Sequence, residues 1–130
     1  MRKTAGTVTL YAVWSDENIA SGTHGDNLTW IIDAEGTLII SGSGAMSAVT
    51  PSWHSYIEKI NKVVIEEGIT TISEKAFSIN NNTIKAVVIP NTVTTISTGA
   101  FWACRGLESV NIPDSVTYIG QNAFYNCNSL

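Results

Sequence analysis

The residues with the greatest potential for chemistry in this sequence are two histidines, His24 and His54. Nucleophilic catalysis needs a histidine that faces both a nucleophile and an orienting acid. Ser52 and Ser55 flank His54 in "SWHSY", but residues this close in sequence rarely face one another productively. A metal site made of His24, Asp26 and His54 matches no recognised ligand spacing. We therefore expect both histidines to be structural or surface residues.

The two cysteines, Cys104 and Cys127, belong to no CxxC or zinc-ligand pattern. They recur at one position of an internal repeat, so we expect the two thiols on adjacent layers of the fold, about 4.8 Å apart. A disulfide is sterically conceivable at that separation. The alternative, which we favour, is a pair of inward-facing free thiols that behave as small hydrophobic side chains.

Carboxylates and glycines offer two further candidate sites. A pair of carboxylates can hydrolyse glycosidic bonds, but Glu66 and Glu67 are neighbours at a predicted strand end, where adjacent side chains point apart and are solvated. The stretch "SGSGAM" (residues 41–46) is rich in glycine but lacks the spacing of a phosphate-binding loop. These patterns predict no catalytic residue, no metal and no cofactor, and we expect a protein that is not an enzyme.

Composition and charge exclude several classes of partner. The chain has 130 residues, of which 44% are hydrophobic and 14% charged, as in an ordinary folded protein. The net charge of −4 and the lack of a basic cluster argue against nucleic acid as a partner. No stretch approaches the roughly 20 apolar residues of a membrane helix, and "MRKTAGTVTLYAVWS" lacks the apolar core of a signal peptide. We expect no membrane insertion, and we expect the signal and anchor of a secreted protein to lie outside this sequence.

The sequence contains a repeat, which occurs as "IPNTVTTISTGAF" at residues 89–101 and as "IPDSVTYIGQNAF" at residues 112–124. A less regular third copy starts at Ile65 and carries one extra residue in the asparagine run at residues 80–82. An incomplete leading copy precedes it, at Ile60, Val63 and Ile65. The aligned columns are Ile65/Ile89/Ile112, Ile69/Val93/Val116, Ile72/Ile96/Ile119, Ala76/Ala100/Ala123, Phe77/Phe101/Phe124, Ile84/Leu107/Leu130 and Val87/Val110. The two clear copies start 23 residues apart, at residues 89 and 112. A period of this length with Leu-x-x-Leu-x-Leu spacing is the signature of a leucine-rich repeat solenoid.

Each repeat predicts one coil of a stack in which neighbouring coils share a core. "VVIP" and "VNIP" are short strands that end at Pro90 and Pro113, because proline cannot donate to a sheet ladder. "VTTI" and "VTYI" alternate apolar and polar residues and predict a second strand. "TGAFWAC" and "QNAFYNC" predict a helical turn whose Phe fills the core. The predicted fold class is α/β and β-dominated, a right-handed leucine-rich repeat solenoid with short helical turns.

The segment before the repeats predicts an N-terminal cap. In "GDNLTWIIDAEGTLIISGSGAM" (residues 25–46), two apolar, β-branched runs flank "DAEG", which indicates a β-hairpin. "PSWHSYIEKI" (residues 51–60) would join this hairpin to the coils as a short helix or turn. We assign residues 21–60 to the cap, residues 61–130 to the repeats and residues 1–20 to a remnant or linker. The last repeat stops before its next strand, so we expect self-association through its unpaired edge.

The pattern "IPxxVTxIxxxAFxxCxxL" resembles the leucine-rich repeats of BspA-type bacterial surface proteins. Gly120 agrees with a glycine that is usual in that family, whereas Ser97 and Ser73 depart from it. "GDNLTWxxxxxGTLxISGxGAM" is similar to the segment that precedes such repeats, where the position of His24 is often Cys. "TVTLYAVWS" (residues 7–15) resembles the last strand of a Listeria–Bacteroides repeat, which would make the start of the chain a leftover of a preceding module.

The resemblance implies a non-catalytic module of a bacterial cell-surface or secreted protein, which adheres to an extracellular protein on host or bacterial cells. The alternatives are a carbohydrate-binding module and a passive spacer. An adhesin predicts an apolar or charge-ordered patch on one face, whereas a spacer predicts featureless polar columns. Exposed aromatic residues can anchor a protein or stack on a sugar. The candidate ligand-binding residues are Val64, Val88, Asn111, Asn91 and Asp114 on the strand columns, and Trp102 and Tyr125 after the Phe column.

Overall fold

The computed structural model describes residues 17–78 and 81–130, so the strand predicted at residues 7–15 lies outside the described residues. The described part of the chain contains ten strands and one 3-10 helix, Ser52–Lys59, which is interrupted at Tyr56. The strands are β1 (Ala20–His24), β2 (Leu28–Ile32), β3 (Thr37–Gly42), β4 (Gly44–Ala45), β5 (Lys62–Ile65), β6 (Ile69–Ile72), β7 (Ala86–Val88), β8 (Thr95–Ile96), β9 (Ser109–Val110) and β10 (Tyr118–Ile119).

The strands form two sheets that run along the stack. The six-stranded sheet has the order β1-β2-β3-β5-β7-β9, and the four-stranded sheet has the order β10-β8-β6-β4. The predicted hairpin is confirmed, because β2 and β3 pair antiparallel. In its turn, the Asp33 carboxylate accepts hydrogen bonds from the N–H groups of Glu35 (2.9 Å) and Thr37 (3.0 Å). β1, which the sequence did not predict, extends this hairpin by a further antiparallel strand.

Parallel pairing begins at β3 and continues to β9, so the β-dominated solenoid is confirmed. Each coil contains one strand of each sheet followed by a turn. We call residues 37–60 coil 1, residues 61–84 coil 2, residues 85–107 coil 3 and residues 108–130 coil 4. In coil 1 the 3-10 helix occupies the place of the turn.

A column of aromatic rings runs through the centre of the stack. Trp53, Phe77 and Phe101 are each fully buried. Ring centroids are 5.6 Å apart between Trp53 and Phe77, and 5.2 Å apart both between Phe77 and Phe101 and between Phe101 and Phe124. Each coil thus contributes one ring, and the isoleucine and valine columns of the sheets close around them. No single coil could bury its own ring, which is why the coils are stable only as a stack.

The turns predicted as helical are i→i+3 turns and not a continuous helix. The N–H of Cys104, for example, bonds to the carbonyl of Phe101 at 3.2 Å. Gly99 (φ 63°) and Ala103 (φ 65°) have left-handed backbone conformations, which interrupt a right-handed helix. The N–H of Phe101 is then free to bond to the carbonyl of Ala123 in the next coil, at 2.8 Å. The turns therefore add a third ladder of hydrogen bonds between coils.

Candidate interaction surfaces

The outward side of the six-stranded sheet, which we call the strand face, carries a row of apolar side chains. Ladder pairing places Ile31 opposite Ile39, Ile39 opposite Val64, and Val64 opposite Val88. Ile31 and Ile39 lie outside the main core cluster, although only 4% and 8% of their surface is exposed. Val88 is 41% exposed. The row is therefore buried at the hairpin and open to solvent at β7.

Charged residues flank this apolar row on both sides. Lys62 and Lys85 are exposed where β5 and β7 begin, and Glu67 and Asp114 are exposed beyond the ends of β5 and β9. In coil 4 the position of Lys85 is taken by Glu108, so the basic edge is confined to coils 2 and 3. The strand face is thus apolar in the middle, basic along one edge and acidic along the other.

The strand-column candidates predicted from the sequence occupy the same face in different ways. Val64 is partly buried and Val88 exposed. The side chain of Asn111 is engaged with the backbone of Ile89, because its Oδ1 accepts from the Ile89 N–H (2.9 Å) and its Nδ2 donates to the Ile89 carbonyl (2.8 Å). Asn91 and Asp114 are exposed on the loops that follow the strands. The Asn111 side chain is therefore occupied by hydrogen bonds to the neighbouring coil, whereas the Val88 side chain is exposed and available to a ligand.

Trp102 and Tyr125 lie together on a second surface, the turn face, formed by the turns of the coils. Each follows the buried ring of its coil, and their ring centroids are 6.0 Å apart at an interplanar angle of 79°. Trp102 is 39% exposed and Tyr125 is 53% exposed. One ring stands edge-on to the other, so the pair forms an exposed aromatic corner and not a flat platform.

A groove of about 310 Å³ opens on the turn face beside this corner. Pro51 and the neighbouring loop form one wall, and Glu74, Lys75 and Ser78 of coil 2 form the other, with His54 between them. Gly99 joins the groove to the corner, because a Cβ added there would contact the Lys75 stem at 3.6 Å and the Trp102 ring at 3.7 Å. Nothing in the sequence indicates this groove, because its walls come together only when coils 1 and 2 stack.

His24 has a structural position at the junction of β1 and coil 1. Its side chain is 3% exposed, and its ring centroid is 4.9 Å from that of Trp53. Nε2 lies 3.0 Å from the Ser47 carbonyl, which can only accept, so this nitrogen carries the proton. Burial lowers the pKa of His24; the hydrogen bond to Ser47 opposes that effect, and the charge of His54 adds to it.

His54 completes the hydrogen bonding between coils 1 and 2. The carbonyls of successive turns accept backbone N–H groups, as the Ala100 carbonyl accepts from Phe77 at 2.8 Å. The equivalent carbonyl of Ala76 accepts from two side chains, His54 Nε2 at 2.7 Å and Trp53 Nε1 at 3.1 Å. These side chains replace the ladder bond that the 3-10 helix cannot supply, which gives His54 a structural role.

Both cysteines are free, and each thiol points back to the preceding coil. Cys104 Sγ donates to the Phe77 carbonyl (3.2 Å) and Cys127 Sγ to the Phe101 carbonyl (3.1 Å). Burial, with a smaller contribution from Cys127, raises the pKa of Cys104 to about 12, and burial also raises the pKa of Cys127. These thiols are packing groups and poor nucleophiles at neutral pH.

The two carboxylates considered for sugar hydrolysis, Glu66 and Glu67, have different surroundings. Glu66 accepts a hydrogen bond from Ser41 Oγ at 2.8 Å, while Glu67 is exposed. Within residues 17–78 and 81–130, no group of three or more His, Cys, Asp or Glu side chains could hold a metal ion. No helix in that same part of the chain is long and apolar enough to cross a bilayer.

Sequence reasoning missed Ile31 and Ile39 as members of the strand-face row. The signal was present, because both lie in continuous apolar runs, "LTWII" and "TLIIS", in which alternate residues must point away from the core. Their pairing with Val64 and Val88 could not be anticipated, because the sequence predicts the hairpin as a cap and not as part of the sheet that the coils form.

These two faces lie on a β-solenoid made of leucine-rich coils, a class of repeat protein that presents extended surfaces to its partners. A family model described as the BspA type leucine-rich repeat region matches residues 47–130 in six copies. The chain belongs to this BspA-type leucine-rich repeat family, as the sequence pattern indicated.

Two solved structures have the same fold. A leucine-rich repeat protein from Eubacterium ventriosum is 28% identical, with a TM-score of 0.69 over 82% of this chain. A leucine-rich cell surface protein from Faecalibacterium prausnitzii is 26% identical, with a TM-score of 0.53 over 89% of this chain. The match covers 36% of each of these two longer chains. A search of the curated proteins found no match.

Proposed function

We propose that this chain is a non-catalytic protein-interaction module of a bacterial cell-surface or secreted protein, and that it serves in adhesion to host proteins or to other cells. The observation that carries the proposal is the apolar row of the strand face between a basic and an acidic edge. The family, and the cell-surface protein from Faecalibacterium prausnitzii among its structural neighbours, support a place outside the cell.

The chemistry of the strand face favours a protein as its ligand. The accessible part of the row lies on β5 and β7, where Val64 is partly buried and Val88 is exposed, and two neighbouring strands of this kind suit a short extended segment or one side of a helix. Val88 offers apolar area at the open end of the row, and burial of such area drives protein association. A complementary partner carries an apolar ridge with carboxylates facing Lys62 and Lys85 and basic groups facing Glu67 and Asp114.

A passive spacer explains this face less well. A spacer needs only polar outward columns, and an exposed valine in the middle of a sheet lowers solubility without helping the stack. The ordered charges on either side of the row would likewise be unnecessary. We therefore propose binding, with adhesion as its biological purpose.

The test is a binding screen of the whole chain against arrays of extracellular-matrix proteins and bacterial surface proteins. We expect a saturable protein hit whose affinity falls about tenfold in Val88→Ser, because the substitution replaces the exposed apolar side chain at the open end of the row. Tyr118→Ser is the control, since Tyr118 is a 56% exposed residue of β10, which belongs to the other sheet. Equal binding by wild type and Val88→Ser would remove the strand face from the proposal.

Glycan binding is a second candidate function, and the exposed Trp102–Tyr125 corner favours it. This corner lies on the turn face, so it is independent of the apolar row. Both activities can coexist in one module, because neither uses the residues of the other.

A further inference from the structure

The turn face carries a strip of ligand-type groups that repeats from coil to coil. His54, Ser78, Trp102 and Tyr125 each follow the ring of the central aromatic column, so they occupy one position in four successive coils. Adjacent coils are separated by about 4.8 Å. The groove lined by Pro51, Glu74 and Lys75 opens at the His54–Ser78 end, and the aromatic corner forms the Trp102–Tyr125 end. We call this continuous surface the turn strip.

The aromatic end of the turn strip suits a ring with one apolar face. The T-shaped pair leaves large parts of both rings in water, with 39% of Trp102 and 53% of Tyr125 exposed. No structural role requires this, because the stack is already filled by Phe101 and Phe124. A flat ligand can stack on one ring while its rim contacts the other, and the C–H face of a pyranose has this shape and polarity.

The groove end of the strip suits hydroxyl groups. Glu74 supplies acceptors and Lys75 supplies donors, while the Ser78 hydroxyl, which donates to the Lys75 carbonyl at 3.3 Å, can accept. Glu74 and Lys75 have opposite charges and are adjacent, so the groove has no strong preference for an anion or a cation. Its volume of about 310 Å³ is at the lower end of the range for small-molecule sites.

We propose that the turn strip binds a neutral oligosaccharide, with one pyranose ring in the Trp102–Tyr125 corner and the next sugars along Lys75 and Glu74 into the groove. The inference rests on the second candidate function and names its site and ligand class. A peptide is the less suitable ligand, because peptide anchors bind in dry apolar pockets, whereas the walls of this groove are mostly polar. The single Gly99 between Lys75 and Trp102 keeps the two halves of the strip connected.

The test is native gel electrophoresis of the whole chain through gels that contain soluble neutral polysaccharides: a β-glucan, a mannan, a xylan and a galactan, each used separately. An array of neutral oligosaccharides accompanies the gels. We expect retardation by at least one polysaccharide, with affinity about tenfold weaker in Trp102→Ala and in Tyr125→Ala. Glu74→Gln, which keeps the shape of the side chain, should weaken binding by a smaller factor.

Two control variants make the outcome specific. Tyr118→Ala removes a 56% exposed tyrosine on β10, outside the turn strip, and should leave retardation unchanged. Val88→Ser should also leave it unchanged, so failure on the strand face and failure on the turn strip are separable. The proposal is overturned if no neutral polysaccharide or array glycan is retained. It is also overturned if Tyr118→Ala is as damaging as Trp102→Ala, or if a peptide array is captured through Trp102 and glycans are not.

Discussion

Coils 3 and 4 share the same apolar columns, yet three of those columns differ sharply in burial between the two coils. Ile89, Ile96 and Leu107 of coil 3 are 2%, 0% and 0% exposed, whereas Ile112, Ile119 and Leu130 of coil 4 are 41%, 48% and 54% exposed. Coil 3 is packed between two other coils and coil 4 is packed against one. Burial of an apolar residue in this protein is therefore decided by the position of its coil in the stack, and not by the residue or its local sequence.

Backbone hydrogen bonding also depends on the position of a coil in the stack. In coil 3 the N–H of Phe101 bonds to the carbonyl of Ala123 in coil 4, at 2.8 Å. Within the described residues, no backbone carbonyl takes the equivalent N–H of Phe124. Coil 4 therefore forms backbone hydrogen bonds with one neighbouring coil, whereas coil 3 forms them with two. Its contribution to stability should be correspondingly smaller, and three experiments can test this difference, while a fourth addresses the opposite end of the stack.

The largest expected difference lies in the aromatic column. Phe101→Ala should lower the free energy of unfolding by about 3–5 kcal/mol, because a fully buried ring is lost between two neighbours. Phe124→Ala should cost about half as much, since Phe124 is only partly buried and stacks on one ring. Urea unfolding followed by circular dichroism measures both.

Phe101→Leu provides a second comparison if Phe101→Ala does not fold, because leucine keeps part of the buried volume. Equal losses from Phe101 and Phe124 substitutions would mean that coil 4 is as well supported as coil 3. That result would contradict the dependence of burial energy on stack position.

The reactivities of Cys104 and Cys127, which occupy the same repeat position in coils 3 and 4, should also differ. Cys104 is fully buried with its pKa raised to about 12, whereas Cys127 is partly exposed in coil 4. We expect iodoacetamide to alkylate Cys127 at least about tenfold faster than Cys104 at neutral pH. Mass spectrometry of Cys104→Ala and Cys127→Ala reports each thiol separately. A faster reaction at Cys104 would show that the interior of the stack opens more readily than its end.

The exposed columns of coil 4 should also promote self-association. β9 and β10 are edge strands; exposed Ile112 follows β9 and exposed Ile119 lies in β10, and an apolar edge strand readily pairs with another chain. We expect concentration-dependent dimers in sedimentation velocity, weakened about tenfold by Ile119→Lys. Val49→Lys, at an exposed valine far from coil 4, is the control and should leave the dimer intact. A monomer at every concentration would show that coil 4 does not need a partner.

The smallest effect should come from the opposite end of the stack, where β1 covers coil 1. The pKa of His24 is lowered by burial, so the unfolded chain binds more protons near the ordinary histidine pKa of about 6.5. Stability should therefore be complete above that pH and decline as the pH falls through it. Thermal unfolding of His24→Gln, which does not titrate, should show a flatter profile, with His54 as the neighbouring titratable group left in place. An unchanged profile would mean that His24 charges without disturbing β1.

Much of the fold could be predicted because its strongest signals are local. The columns of Ile72, Ile96 and Ile119 and of Phe77, Phe101 and Phe124 recur at a fixed period, and such a period allows few architectures. β1 could not be predicted, because "ASGTH" has no apolar alternation and is ordered only by its pairing with β2. The repeat predicts helical turns, but the left-handed residues of the turns go with hydrogen bonds to the next coil, which no single repeat encodes.

The candidate sites divide in the same way. The outward columns containing Val64 and Val88, and the position after the Phe column containing Trp102 and Tyr125, could be located from the repeat. The extension of the apolar row to Ile31 and Ile39 could not, since it depends on parallel pairing between β3 and β5. The groove beside Lys75 depends likewise on how coil 1 lies against coil 2.

The sequence by itself determined the repeating coil, the inward columns and the family, because periodic apolar residues with fixed spacing leave one way to share a core. Tertiary structure alone decided which of those apolar residues are buried, how His54 and Trp53 share the Ala76 carbonyl, and which outward residues meet on one face. The physical reason is that a coil cannot bury its own apolar side or satisfy its own backbone. Both are completed by neighbouring coils about one period away in sequence, so they are properties of the stack.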